Sequence, residues 1–330
     1  MSLRILDIAV VTGSNEFDNY HYIKRFKDMY NKDISHLVND VLGRKKRYIA
    51  DETETTLTLG ARAVDNLLKK TGVKGDEIDM IVFTSQMPEF TMPTQAVMIH
   101  KHIQGKEMCN LMDINVSCIG MLRGLDVCNR YSRDKDGHMK KILLIGSDKI
   151  NNHAQTDDAF VMSAFADAGC AVLFEYDDSY ESKIIGTSNR TISKNANTVL
   201  FPECGMSNIS KYNGDATKIS WYGTDISKEL SSMNEATKDV LKKHNMTVDD
   251  IDWVCPTQFT KDISNLISNE LDIPMSKIIY IGDIYGYTGT SSPFIALYEG
   301  IREHKIKRGH IVLLTSIGLG ATVSSVIIKY

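Results

Sequence analysis

One cysteine in this chain stands where a nucleophile would. In "LMDINVSCIGMLRGLDV" (Leu111 to Val127), an alternating apolar run leads to Cys118, and Ile119, Leu122, Leu125 and Val127 then follow at the spacing of a buried helix. A thiol at a helix N-terminus meets unpaired N–H groups and the positive end of the dipole, which favour the thiolate. Ser117 and Gly120 beside it leave room for a second molecule to approach. Cysteine is also a small hydrophobe that packs in cores without reacting. Both readings stand on these residues alone.

Other candidate chemistry is sparse. The six cysteines (109, 118, 128, 170, 204 and 255) form no C-x-x-C pair and no Cys/His cluster at zinc spacing, so they read as reduced thiols in a cytoplasmic protein. "DDIDW" and "QTDDAF" pair carboxylates without further ligands at calcium or magnesium spacing, and no metal site is expected. "GLGAT" lacks the strand, loop and helix context of a dinucleotide fingerprint, and no Walker lysine follows a glycine loop; no cofactor is expected. Among the nine histidines, His138, His244, His304 and His310 fall in polar helix ends or turns, His100 and His102 follow a helical run, and His153 follows a strand.

The elements that must hold Cys118 alternate between strand and helix. "ILDIAVV", "IDMIVFTS", "KKILLIGSD" and "GCAVLFEY" read as strands. "ETTLTLGARAVDNLLKKTG" sets Leu57, Leu59, Ala61, Ala63, Val64, Leu67 and Leu68 on one helical stripe that ends at Gly72. The 330 residues are 42% hydrophobic and 24% charged, enough for a large core. A net charge of −4 argues against nucleic acid and anionic membrane as partners, and no segment has the roughly 20 uncharged residues of a membrane helix. "RKKRY" (Arg44 to Tyr48) is the one dense basic run.

The order of elements repeats. "DEIDMIVFTSQ" (Asp76 to Gln86) resembles "DDIDWVCPTQF" (Asp249 to Phe259); each follows an amphipathic helix and precedes a strand that ends in a small-residue turn. Such a repeat indicates an internal duplication with halves 1–175 and 176–330. Cys118 lies 39 positions after Asp79, and the same offset from Asp252 reaches Ser291 in "YGYTGTSSP", which brings the cysteine turn and a glycine-rich turn to equivalent places.

"DINVSCIGMLRGL" resembles the active-site turn of the β-ketoacyl-acyl-carrier-protein synthase III family, of the thiolase superfamily. "FADAGCAVLFE" resembles that family's "GDGAGA" strand entry, and "RGHIVLLTSIGLGATVSSVIIKY" its last two strands and glycine turn. The resemblance implies the thiolase-like fold, a duplicated five-layer α-β-α-β-α sandwich, with Cys118 as nucleophile. It departs at two positions: a "PHQAN"-like histidine is replaced by Thr257 in "PTQFT", and a "GNTS"-like asparagine by Tyr287 in "GYTG". It further implies that Leu319 in "GLG" supplies a backbone N–H to an oxyanion hole. Met92, before a proline in "PEFTMPTQAVMIHKHI", would reach a partner's acyl pocket, with Met87 and Phe90 nearby. The expected activity is that of a synthase III-like acyltransferase in fatty-acid or specialised-metabolite biosynthesis. Its second step would differ from malonyl condensation. A coenzyme A or acyl-carrier-protein thioester would be the donor, with Arg44 and Arg47 as carrier contacts, and the protein a homodimer. The competing expectation is a non-catalytic partner subunit of an active homologue.

Overall fold

The computed structural model describes residues 2–133, 139–177, 182–223 and 227–330. Strands β1 (Ser2–Thr12), β4 (Met80–Thr84), β5 (Asn110–Ile114), β6 (Lys141–Asp148) and β7 (Ala168–Asp177) form a five-stranded sheet in the order β1-β7-β6-β4-β5. Strand β4 runs parallel to β5 and β6, and β7 antiparallel to β6 and β1. A second, four-stranded sheet has the order β11-β12-β13-β8, from β8 (Lys183–Thr191), β11 (Trp253–Pro256), β12 (Ile311–Gly318) and β13 (Thr322–Lys329).

Traced from β8, the second sheet repeats the first traced from β1, including the sense of every pairing. The counterpart of β5 is reduced to one parallel bridge between Val254 and Ile278, with the Ile279 N–H donating to Val254 O at 2.9 Å. The two aspartates that mark the sequence repeat do the same work. Asp79 N–H donates to Lys141 O at 2.9 Å while its carboxylate accepts from Lys141 N at 2.8 Å. Asp252 repeats both contacts with Ile311, at 2.9 and 2.8 Å. A carboxylate just before β4 and another just before β11 thus tie each strand to its parallel neighbour.

Five layers result. Helices α2 (Thr56–Thr71) and α3 (Gln95–His102) cover the outer face of the first sheet. Helices α4 (Gly120–Tyr131) and α9 (Ser292–Arg302) lie between the sheets. Helices α6 (Ser227–Lys243) and α7 (Asp262–Leu271) cover the outer face of the second. Strand β4 is apolar throughout because both its faces are covered: Met80 and Val82 join the central core with Leu125 and Phe294, while Ile81 and Phe83 meet Leu59 and Leu67 of α2. Helix α2 ends on Gly72, which holds φ 73° and donates to Leu68 O at 2.8 Å. Each fully buried Leu or Val of its stripe contributes about 1.5–3 kcal/mol. Among the described residues no helix is long and apolar enough to cross a membrane.

The basic run corrects an expectation. Two-stranded ribbon β2 (Asn15–Asp18)–β3 (Lys46–Ile49), helix α1 (Asn19–Tyr30) and helix α5 (Ala159–Ala164) close over Arg44 and Arg47, and neither can meet a carrier protein. Arg44 donates to the carbonyls of Leu42 (2.9 Å), Gln258 (2.8 Å) and Phe259 (2.8 Å). Arg47 donates to Ser163 O at 2.8 Å and stacks 4.2 Å above the Tyr22 ring; burial pulls its pKa down to about 10. A run of cations looks solvated in sequence because the carbonyls that bury it come from distant segments. Replacing Arg44 by Met is expected to cost about 2–3 kcal/mol by leaving buried carbonyls without a donor. Urea denaturation measures it; a carrier-contact arginine would leave stability unchanged.

Candidate active site

The turn that carries Cys118 is longer than the sequence suggests. Strand β5 ends at Ile114 and α4 begins at Gly120, so five residues connect them. Ser117 holds φ 50°, an uncommon conformation for a non-glycine residue, with its N–H on Asn115 Oδ1 at 3.1 Å. Ser316 Oγ donates to Cys118 O at 3.1 Å, tying the turn to the end of β12. The α4 N-terminus is not left open: the Met121 N–H donates to Thr290 Oγ1 at 2.9 Å. A Cβ on Gly120 would lie 2.4 Å from that oxygen, so this crossing of the two halves needs glycine. Thr290, beside the expected Ser291, is where the glycine-rich turn meets the cysteine turn.

The electrostatics depart from the thiolate expected at a helix end. Burial, with the Asp148 charge adding to it, drives the Cys118 thiol up to about 12. Hydrogen bonds from Tyr287 and from the residue's own N–H act the other way. At neutral pH the resting group is a thiol, and it donates to Gln86 Oε1 at 3.5 Å.

Two chains of polar side chains converge on the sulfur. In one, Ser292 Oγ donates to Thr257 Oγ1 at 3.5 Å and Thr257 Oγ1 to the Tyr287 hydroxyl at 3.3 Å, and the Tyr287 phenol acts on the sulfur to lower the Cys118 pKa. Thr257 follows the last residue of β11, and its N–H donates to Thr315 O of β12 at 2.8 Å. Tyr287 is fixed through its backbone: its N–H donates to Ala164 O at 3.0 Å and its carbonyl accepts from Ala166 N at 2.9 Å. Its phenol is pushed well above the ordinary tyrosine range, by burial first and then by the nearby sulfur. In the other chain, Gln86 Nε2 donates to Asp148 Oδ2 at 3.3 Å. The Asp148 carboxylate is buried and also accepts from Gln86 N (2.9 Å), Ser85 Oγ (2.9 Å) and Thr290 N (3.1 Å); burial raises its pKa to about 6 despite these donors. Gly289, at φ 61°, passes so close that a Cβ there would lie 2.5 Å from both Asp148 Oδ2 and Gln86 Nε2.

Cys118 opens on a cavity with an empty volume of about 660 Å³, counting space open to solvent. Phe165, Trp221, Phe259, Tyr287 and the Ile317–Ala321 turn form most of its wall. Leu319 lies in that turn, in the same cavity as Cys118. Trp221 belongs to the short ribbon β9 (Val199–Leu200)–β10 (Ser220–Trp221) and stacks on Phe259 with ring centres 5.8 Å apart. An adjoining cavity shares Phe165, Val199, Trp221 and Leu319 and is reached by Met87. Phe90 and Met92 are not in either wall; Met92 is 87% exposed at the protein surface. The structure therefore gathers Cys118, Thr257, Tyr287 and Leu319 in one place, puts Met87 next door, and leaves Phe90 and Met92 outside. No histidine among the described residues lines either cavity, and His153 packs against the Phe201 ring at 4.7 Å. His138 lies outside the described residues.

Sequence reasoning missed Gln86 and the buried Asp148 behind it, and Trp221 and Glu229 in the cavity wall. A signal existed for the first two. They stand at or just past the carboxyl ends of the parallel strands β4 and β6, the edge where open α/β sheets present ligand sites.

Comparison with known proteins gives a consistent match. The family model described as 3-oxoacyl-[acyl-carrier-protein] synthase III matches residues 112–192, and the one for its C-terminal part matches residues 241–330, together just over half of the chain. A β-ketoacyl-[acyl-carrier-protein] synthase III of Wolbachia pipientis wMel is 29% identical over 289 residues, 87% of this chain and 88% of that one. Its namesake from Xanthomonas oryzae pv. oryzae is 27% identical over the full length of both chains. The crystal structure of 3-oxoacyl-[acyl-carrier-protein] synthase III from Aquifex aeolicus VF5 superposes with a TM-score of 0.88 at 25% identity, covering 99% of this chain and 100% of that one.

Proposed function

The chain belongs to the 3-oxoacyl-[acyl-carrier-protein] synthase III family, and on that premise we propose that it is an acyltransferase whose nucleophile is Cys118. The observation that carries this reading is a buried cysteine whose thiol opens on a mostly apolar cavity and donates to Gln86, while its backbone carbonyl is held by Ser316 from the other half of the fold. In the first step the sulfur attacks the carbonyl of an acyl thioester, the donor's carbon–sulfur bond breaks, and the donor leaves as a free thiol with the proton from Cys118. The N–H groups of Cys118 and Leu319 are assigned to the oxyanion of the tetrahedral intermediate. The donor is the pantetheine arm of an acyl carrier protein or of coenzyme A, and no cofactor takes part.

The second step is the point of departure. Threonine cannot titrate near neutral pH, and the Tyr287 phenol is held well above its ordinary range, so neither does the work of an imidazole. We assign Thr257 and Tyr287 to stabilising charge on the sulfur and on the thioester oxygen, and transfer to an acceptor other than a malonyl group. Met92 and Phe90 protrude where a second copy could receive them, and β5 is a free sheet edge, which supports a homodimer. Six free cysteines fit a cytoplasmic protein. A non-catalytic partner subunit is not favoured, because a passive subunit has no need of a cavity that reaches the thiol.

Intact-protein mass spectrometry after incubation with a panel of acyl-coenzyme A and acyl-carrier-protein thioesters tests the reading. The expected result is an acyl adduct that disappears in Cys118→Ala. A thiol that reacts with a small alkylating agent but takes no acyl group from any donor would sink the proposal.

A further inference from the structure

Among the described residues, the cavity around Cys118 has largely apolar and aromatic walls with one carboxylate among them. Glu229, in the first turn of α6, is 3% exposed and lines the same cavity as Cys118 and Tyr287. Its Oε1 accepts from Asn195 Nδ2 at 2.6 Å, and Asn195 lines the cavity too. Among the described residues no donor reaches Oε2, and no cation pairs with the group. A carboxylate left only 3% exposed, in a cavity wall and without a cation, is costly, and a group kept in that state points to a ligand that completes it. Trp221, stacked on Phe259, and Tyr287 beside Phe165 add aromatic surface to the same cavity.

We propose that Glu229, braced by Asn195, binds the protonated amine of the acceptor, so that the acyl group leaves Cys118 as an amide. The inference rests on the reading of Cys118 as the acylated residue. The ammonium gives one proton to the Glu229 carboxylate and becomes a free amine. Its nitrogen lone pair then attacks the Cys118 thioester carbonyl; the carbon–nitrogen bond forms, the carbon–sulfur bond breaks, and the second proton passes to the departing sulfur. The products are an amide, a Cys118 thiol and a protonated Glu229, which returns its proton to solvent. The same carboxylate disfavours a malonyl acceptor, whose own negative charge would enter a cavity that already holds one. Exclusion of the malonyl group and the loss of the imidazole and amide side chains then have one explanation: this site accepts a nucleophile that needs no decarboxylation.

Titration calorimetry with 2-phenylethylamine and its neutral counterpart 2-phenylethanol tests the subsite on the intact protein. The amine is expected to bind at least about tenfold more tightly than the alcohol, a difference of about 1.4 kcal/mol, and Glu229→Gln to remove that advantage. Unchanged alcohol affinity in the variant reports an intact cavity. Equal affinities in the wild type, or an amine preference that survives Glu229→Gln, would overturn the subsite. Incubating the amine with protein already loaded with an acyl group, and weighing the products, tests the transfer. Acyl loading without amine binding overturns the inference and keeps the acyl-transfer reading. Amine binding through Glu229 with no loading on Cys118 from any donor does the reverse.

Discussion

Cys118→Ser is expected to lose acyl loading by about 10²–10⁴-fold, the range that a general base contributes. Serine keeps the shape of the turn and can still donate to Gln86 Oε1, so the fold is not what the substitution tests. A hydroxyl becomes a useful nucleophile only when a base takes its proton in the transition state, whereas sulfur is intrinsically reactive and has a far more accessible anion. Among the described residues no such base is in contact with the nucleophile. Thr257 does not titrate, Tyr287 is pushed well above its usual range, and Asp148, at about 6, is separated from the sulfur by Gln86. The glutamine amide can pass a hydrogen bond along but cannot carry away a proton. Adduct formation followed by intact mass over time measures the loss. A serine variant that loads within about tenfold of the wild type would mean that a base reaches position 118 after all, and the assignment of Thr257 and Tyr287 as non-basic groups would fall.

The sheet strands were readable because their chemistry is local. "IDMIVFTS" is apolar at every position since helices cover both faces of β4, and Asp79 and Asp252 stand out since each caps the same strand crossing in its own half. Cys118 could be singled out by its position between a strand and a helix, though not the length of the turn, because "NVSCI" continues the apolar alternation past the last β5 pairing at Ile114. Gln86 and Asp148 were not readable as a pair: 62 residues separate them, and only the parallel register of β4 and β6 makes them neighbours. Glu229 sits on an amphipathic helix among charged residues, and periodicity alone counts it as solvated. Its burial comes from the turn at Asn195, which no local pattern links to α6. Arg44 and Arg47 mislead for the same reason, since apart from Leu42 the carbonyls they satisfy belong to segments over 100 residues away.

Tyr287→Phe separates a reactive thiol from an inert one by a different route. Removing the hydroxyl deletes the donor that lowers the Cys118 pKa, so the thiol moves further up from about 12. The sign follows from which form the bond favours: a donor aimed at sulfur stabilises the anion, and its loss stabilises the neutral thiol. Below the pKa, each unit of upward shift removes nine-tenths of the remaining thiolate. Alkylation of Cys118 by iodoacetamide, read at the peptide level to exclude the other five thiols, is expected to rise about tenfold per pH unit from pH 7 to 10 in the wild type. In Tyr287→Phe the whole line should lie lower by about tenfold or more, since a hydrogen bond to a charged group contributes about 1.5–3 kcal/mol. The ring stays packed against Phe165 and Phe259, with centres at 5.2 and 5.4 Å, and only the Thr257 hydroxyl loses its acceptor, so stability should fall by about 1 kcal/mol. Superimposable lines for the two proteins would show that Tyr287 does not act on the sulfur. A displaced line would mean that the chain from Ser292 through Thr257 and Tyr287 supports an anion at Cys118, which is a property a passive subunit does not need.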